Sequence, residues 1–148
     1  MKGQVSTELL VIVALVLLIF IPLLVLVYME ASKANQQIGT YQAELAVTRI
    51  SSLANSVGSL GTDTSIVTDV YIPPNVVSLE TVASGRGGEV VMVLNTPDGP
   101  HPVNDIVKYP IVNPHELAGA GTPAGWMRLN ISSVYSDGVA KVRIEKVS

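Results

Sequence analysis

The first part of the chain is dominated by one long apolar run. From Leu9 to Met29 no residue is charged, and most are Leu, Val or Ile. A helix needs roughly 20 apolar residues to cross the core of a bilayer. The run therefore predicts a helix that spans a membrane or packs against other apolar helices. Pro22 removes one backbone donor within it, so we expect a kink at that residue.

Helical spacing continues beyond the run, but there it becomes amphipathic. Apolar residues recur at steps of mostly three and four: Ile38, Tyr41, Leu45, Ala46, Ile50, Leu53, Val57 and Leu60. Gln, Glu, Thr and Arg occupy much of the remaining surface, so this stripe is expected to face a core. We predict one helix from about Val5 to about Ser59, with Gly58 or Gly61 as its stop.

After Gly61 the pattern changes to short β-branched runs separated by Gly, Pro, Asn and Asp. The predicted strands are Ile66–Ile72, Val76–Ala83, Glu89–Asn95, Ile106–Val112, Trp126–Ser132 and Val139–Val147. Apolar and polar residues alternate in the last two strands, with turn residues at Ser136-Asp137-Gly138 between them; Gly85–Gly88 supplies an earlier turn. The predicted fold class is α+β. A long N-terminal helix, first apolar and then amphipathic, is followed by a small antiparallel sheet domain that clasps its second half, like a lollipop.

Composition narrows the range of functions. The chain is 48% hydrophobic and 14% charged, against about 25% charged in ordinary soluble domains. A net charge of -3 offers no basic patch, so nucleic acid is not an expected partner. The absence of cysteine excludes disulfides, thiolate nucleophiles and cysteine-ligated zinc.

Two groups of residues could in principle support chemistry. The first comprises Asp98, His101, Asp105, His115 and Glu116. Its spacing matches no known metal or catalytic site, and the prolines around its histidines favour extended solvated loops. The glycines of Gly85–Gly88 lack the spacing of a phosphate-binding loop, so a hairpin turn explains them better. We expect no metal, no cofactor and no enzymatic activity.

Trp126 and Asn130 each leave two interpretations open. Trp126 is the only tryptophan, and it could pack in the core, which is the commoner fate, or anchor a contact between subunits. Asn130-Ile131-Ser132 is the only sequence of the form Asn-x-Ser/Thr. The strand pattern places Asn130 on the polar face, where export would make it available for N-glycosylation.

A short motif stands directly before the apolar run, in the segment Lys2-Gly3-Gln4-Val5-Ser6-Thr7-Glu8. It resembles the class III signal peptide of archaeal pilin-like precursors, Gln-x-Ser-x-Glu-x-x-x-Leu. Gln4, Ser6 and Glu8 match this pattern, and Ile12 stands where the pattern has Leu. The resemblance implies that a membrane prepilin peptidase cuts between Gly3 and Gln4.

The same resemblance implies a domain organisation and a function. Residues 1–3 would be the leader, residues 4–60 the pilin helix with 9–29 as transmembrane segment and filament core, and residues 61–148 an extracellular β-rich head. The subunit would pass from the cell membrane into a filament on the cell surface that serves adhesion or surface attachment. Its partners would be other copies of itself, the peptidase and the pilus assembly machinery, and the membrane before assembly.

Glu8 is costly in an apolar helix unless it has a partner. Cleavage after Gly3 would create one, the ammonium group of Gln4. The simpler alternative places Glu8 at the lipid headgroups, close to a helix N-terminus.

Two other interpretations of the whole chain remain. In the first, the apolar run is a secretory signal cleaved after Ser32-Lys33-Ala34. In the second, the run is a single-pass anchor for an extracellular β domain that binds a ligand.

Overall fold

A computed structural model describes residues 2–147, with side chains described for residues 6–147. Helix α1 spans Lys2–Leu60 and is followed by seven strands: β1 Ser65–Ile72, β2 Val76–Ser84, β3 Gly87–Thr96, β4 Gly99–Val107, β5 Glu116–Ala118, β6 Gly125–Ser136 and β7 Val139–Lys146. The α+β class is confirmed. The chain divides into two compact units, with the boundary between Gln37 and Ile38.

The first unit consists of the N-terminal part of α1. The helix continues through Pro22 without interruption. Every side chain described from Ser6 to Met29 is exposed. Within the part of the chain that the structure describes, α1 is the one helix whose length and composition suffice to cross a membrane.

The second unit contains two antiparallel sheets, with strand orders β1-β6-β7 and β4-β3-β2-β5. Their buried side chains form one cluster with the helix residues of this unit. The largest fully buried side chains in that cluster are Ile50, Ile72, Leu79, Met92, Leu129, Ile131 and Ile144. The predicted alternation in the last two strands is confirmed, because Leu129, Ile131, Val142 and Ile144 are all buried.

The helix face buried in this unit differs from the predicted one. The prediction is correct for Ala46, Ile50 and Val57 but wrong for Ile38, Tyr41, Leu45 and Leu60, whose side chains are exposed. The buried stripe is instead completed by small or short residues: Ala43, Val47, Ser51 and Ala54. Small side chains let a helix approach a neighbouring layer closely, so the bulky apolar residues lie on another face.

Two glycines near the end of α1 have different roles. Gly61 has a φ of 95°, the left-handed conformation that ends many helices, and it follows the last helical residue, Leu60. Gly58, the other predicted stop, is inside the helix. Its backbone is covered by the ring of Tyr109, which leaves no room for a Cβ.

Both predicted hairpin turns are present. Asp137 and Gly138 connect β6 to β7, both with positive φ, which is the geometry of a type I′ turn. Gly85 and Arg86 connect β2 to β3, and Gly85 alone of these two has positive φ.

The prediction for residues 98–116 is partly wrong, because a strand occupies much of the expected loop. β4 begins at Gly99 and ends at Val107, whereas the predicted strand ran over Ile106–Val112. Pro100 and Pro102 lie within β4 and pair with β3, which is tolerated because β4 is the edge of its sheet. The short edge strand β5 was not predicted, and Ile111 makes only an isolated bridge to Val142.

Candidate assembly surfaces

The largest exposed apolar surface belongs to the run Leu9–Met29. Its large hydrophobic side chains are between 48% and 77% exposed, and they point in all directions around the helix. Exposed apolar surface of this extent requires lipid or other protein.

The motif residues lie at the start of this surface. Ser6, Glu8 and Ile12 are exposed on α1, and Glu8 and Ile12 share one helix face because they are four residues apart. No ion pair among the described side chains involves Glu8. Met1, at the start of the expected leader, lies outside the described residues, as do the side chains at the Gly3–Gln4 junction.

A second surface in the β-containing unit was not predicted. Tyr71 on β1 and Trp126 on β6 are cross-strand partners, and their rings meet edge to face with centroids 5.5 Å apart. Trp126 is 72% exposed, so core packing, its commoner fate, does not apply here. The two rings and the α1 surface form the walls of an open groove of about 450 Å³, lined by Gln42, Leu45, Ala46, Arg49, Val70, Tyr71 and Trp126. We call this the aromatic groove.

A charged pair lies near Trp126 but outside the lining of the aromatic groove. Arg128 on β6 donates two hydrogen bonds to the carboxylate of its cross-strand partner Asp69, from Nε at 2.8 Å and from Nη2 at 3.1 Å. These bonds, and the positive charges of Arg128 and Arg49, lower the pKa of Asp69; the same bond to Asp69 raises the pKa of Arg128. Both groups therefore remain charged over the whole physiological range.

Asn130 lies in the middle of β6, the central strand of its sheet. It is half-buried between its cross-strand partners Val67 and Glu145, and its side-chain oxygen is buried without a hydrogen-bond partner among the described residues. The predicted polar face is correct, but the side chain is less accessible than a loop sequon would be. N-glycosylation of Asn130 stays a prediction.

The residues considered above for metal binding or acid–base chemistry lie apart from one another in the structure. His101 and Asp105 lie on β4, where Asp105 accepts a hydrogen bond from the amide of Ile106. His115 lies before β5, with Nδ1 2.7 Å from the carbonyl oxygen of Asn113. Within residues 2–147, no three His, Asp or Glu side chains come together as a metal site.

The aromatic groove escaped sequence analysis for a specific reason. Its helix side contains Leu45, which the apolar periodicity assigned to the core, and its sheet side depends on the pairing of Tyr71 with Trp126. The one signal in the sequence was a large aromatic residue at the start of an alternating strand. Comparison of the chain with family models, with curated proteins and with solved structures gives no match.

Proposed function

We propose that this chain is a structural subunit of an archaeal type IV pilus-like filament, assembled through its N-terminal apolar helix. The observation that carries the proposal is that every large apolar side chain of Leu9–Met29 is exposed, while the second unit has a core of its own. The filament serves adhesion or surface attachment, and the chain has a structural rather than a catalytic role in it.

The energetics of the apolar run support this assignment. Burial of a single Leu, Val, Ile or Phe side chain is worth about 1.5–3 kcal/mol, and the run presents many such side chains. The core of the second unit draws on none of them, because its helix residues begin at Ala43. The run thus contributes little to folding and a great deal to association with lipid or with equivalent helices.

The motif supplies the order of events. Before cleavage the run anchors the chain in the cell membrane, and the prepilin peptidase then cuts between Gly3 and Gln4. The new ammonium of Gln4 in one copy pairs with Glu8 of a neighbour, which removes an unpaired carboxylate from the helix bundle. Cleavage in this scheme permits assembly, and the assembly machinery moves the subunit from the membrane into the extracellular filament.

A second candidate function is a single-pass anchor that presents an extracellular ligand-binding domain. The aromatic groove favours it, because an exposed Trp126 against Tyr71 is a surface that ligands use. The two functions differ in where the chain ends up. A subunit leaves the membrane in filaments, whereas an anchored domain stays with the membrane.

The deciding experiment is to shear extracellular filaments from cells that express the chain and to measure the intact mass of the filament protein. We expect filaments under the electron microscope that contain this chain beginning at Gln4. In matched cells without the prepilin peptidase, the uncleaved chain should stay in the membrane fraction. A chain beginning at Asn35, or a processed chain confined to the membrane, would refute the proposal.

A further inference from the structure

The second unit carries an apolar surface that its own core does not use. Leu45 and Trp126 are 71% and 72% exposed at the aromatic groove, and Tyr41 is exposed one helical turn before Leu45. With roughly 150–250 Å² for each large side chain, these three residues expose about 400 Å² of mainly apolar surface. Patches of this size on soluble domains usually mark an interaction site.

We propose that the aromatic groove of one copy receives the apolar run Leu9–Met29 of a second copy. This inference rests on the proposed function and adds to it, because it names the head surface that contacts a neighbouring helix. The occupant is therefore a second copy of this chain.

The charges of the two surfaces are compatible. The occupant carries no charge from Leu9 to Met29. The groove lining contains one charged side chain, Arg49, which already experiences the negative charge of Asp69. Docking an uncharged helix against Leu45 and the two aromatic rings therefore buries no additional unpaired carboxylate in the interface. A basic peptide would lose its hydration there and meet the like charge of Arg49, without gaining an opposite charge from the groove lining.

The size of the patch also points to a filament contact rather than to a free dimer. A stable interface buries about 800 Å² on each partner, roughly twice what the groove region offers. The groove alone would hold two heads together only weakly. In a filament, where each copy touches several neighbours, the same contact adds to the helix bundling.

The absence of cysteine from the chain gives a direct test in assembled filaments. One cysteine is placed in the groove, Leu45→Cys, and a second is scanned through Leu9–Met29, one position at a time. Oxidation of filaments should give covalent ladders on non-reducing gels for positions that recur every three or four residues, since they share one helix face. The matched control replaces Leu45→Cys with Ile106→Cys, which is 64% exposed on β4 and lies outside the groove. It should give no ladder.

A second pair of variants tests the contact without oxidation. Leu45→Asp should lower filament yield about tenfold or more, because a charge would be buried in the contact, while Ile106→Asp should stay within about twofold of wild type. Leu45→Asp should melt at nearly the wild-type temperature, since Leu45 is exposed, whereas Ile106→Asp should melt slightly lower, because Ile106 lies directly opposite Glu89.

The outcomes separate the two proposals. If wild-type cells make no filaments, the proposed function fails and this inference fails with it. If filaments form but ladders are absent, or equally strong for Ile106→Cys, the groove contact alone is wrong. It is also wrong if Leu45→Asp filaments are abundant but no longer attach to surfaces, because the groove would then bind an external ligand.

Discussion

The ring of Tyr109 lies against the backbone of helix α1 at Gly58: a Cβ added to Gly58 would stand 2.6 Å from Cγ of that ring. Asn55, one turn earlier, reinforces the same contact, because its side chain accepts a hydrogen bond from the amide of Lys108 at 2.7 Å. The segment after β4 is thereby fixed to the helix by one bare backbone position and one polar side chain.

Gly58→Ala should destabilise the second unit although alanine is the better helix former. The new methyl group meets an aromatic ring that is itself packed, and overpacking of this kind costs about 1–3 kcal/mol. Gly39→Ala is the matched control, because nothing lies within 4 Å of a Cβ there. It should stabilise by up to about 1 kcal/mol. Urea unfolding of a fragment beginning at Ala31 measures both, and equal effects of the two substitutions would contradict the packing argument.

A fragment that begins near Gln36 should be a soluble folded monomer, whereas the full chain should need detergent or form filaments. The boundary between the two compact units lies next to this position, and the core cluster begins after it. Analytical ultracentrifugation together with circular dichroism checks the expectation. An unfolded or aggregated fragment would show that the apolar run is needed for folding.

The Asp69–Arg128 pair should give a pH-dependent contribution to stability. Because the pKa of Asp69 is lowered in the folded state, its contribution is present above the unfolded pKa of about 3.9 and is lost as pH falls through the folded value. The difference in unfolding free energy between wild type and Asp69→Asn should thus be constant from neutral pH to about pH 5 and vanish in stronger acid.

That difference should also be small and should shrink with added salt, since both side chains are about half exposed. Glu44→Gln is the control, because Glu44 is exposed and joins no ion pair among the described residues. Its unfolding free energy should stay close to that of wild type at neutral pH. A difference for Asp69→Asn that grows as the pH falls would rule out the assigned cause.

Glu8→Ala should leave processing and head folding intact but reduce filament yield by about tenfold or more, because it would remove one member of the charge pair proposed between Glu8 and the ammonium of Gln4. Glu8→Asp should be partly tolerated. The measurement compares sheared filaments with the cleaved membrane pool for each variant. Normal filament yield from Glu8→Ala, or an N-terminal Gln4 that is cyclised in working filaments, would exclude the ammonium of Gln4 as partner.

Sequence analysis predicted the elements whose local pattern agrees with their tertiary environment. The long helix, the alternating strands around Leu129 and Val142, and the Asp137-Gly138 turn are of this kind, because a strict period or an obligatory positive φ leaves few alternatives. Such signals are carried by neighbouring residues. Their interpretation does not depend on how distant parts of the chain pack.

The errors arose where the outcome depended on distant parts of the chain. Periodicity favoured Tyr41 and Leu45 for the core. The sheets instead pack against the helix face that carries Ala43 and Ala54, because these small side chains allow a closer approach. The aromatic groove was missed for the same reason. A surface formed by a helix and two strands has no signature in any one stretch of sequence.

The prolines of β4 were read as loop signals because the order of the strands was unknown. Pro is excluded from the middle of a sheet and permitted at its edge, so the reading of Pro100 and Pro102 depends on where the strand lies. The structure shows that β4 pairs with β3 on one side and has no strand of the described residues on the other, so the two prolines are compatible with a strand.

Pro100 and Pro102 also affect how readily crowded copies of this chain would aggregate through the edge of β4. Residues that cannot donate a hydrogen bond leave gaps along the free margin of β4, and a foreign strand cannot add to that margin in continuous register. Copies side by side in a membrane, or in the proposed filament, would meet at local concentrations that commonly drive β-aggregation. In the proposed filament, a margin interrupted in this way would let the heads crowd together without pairing through their strands, so that association would depend on the apolar helices.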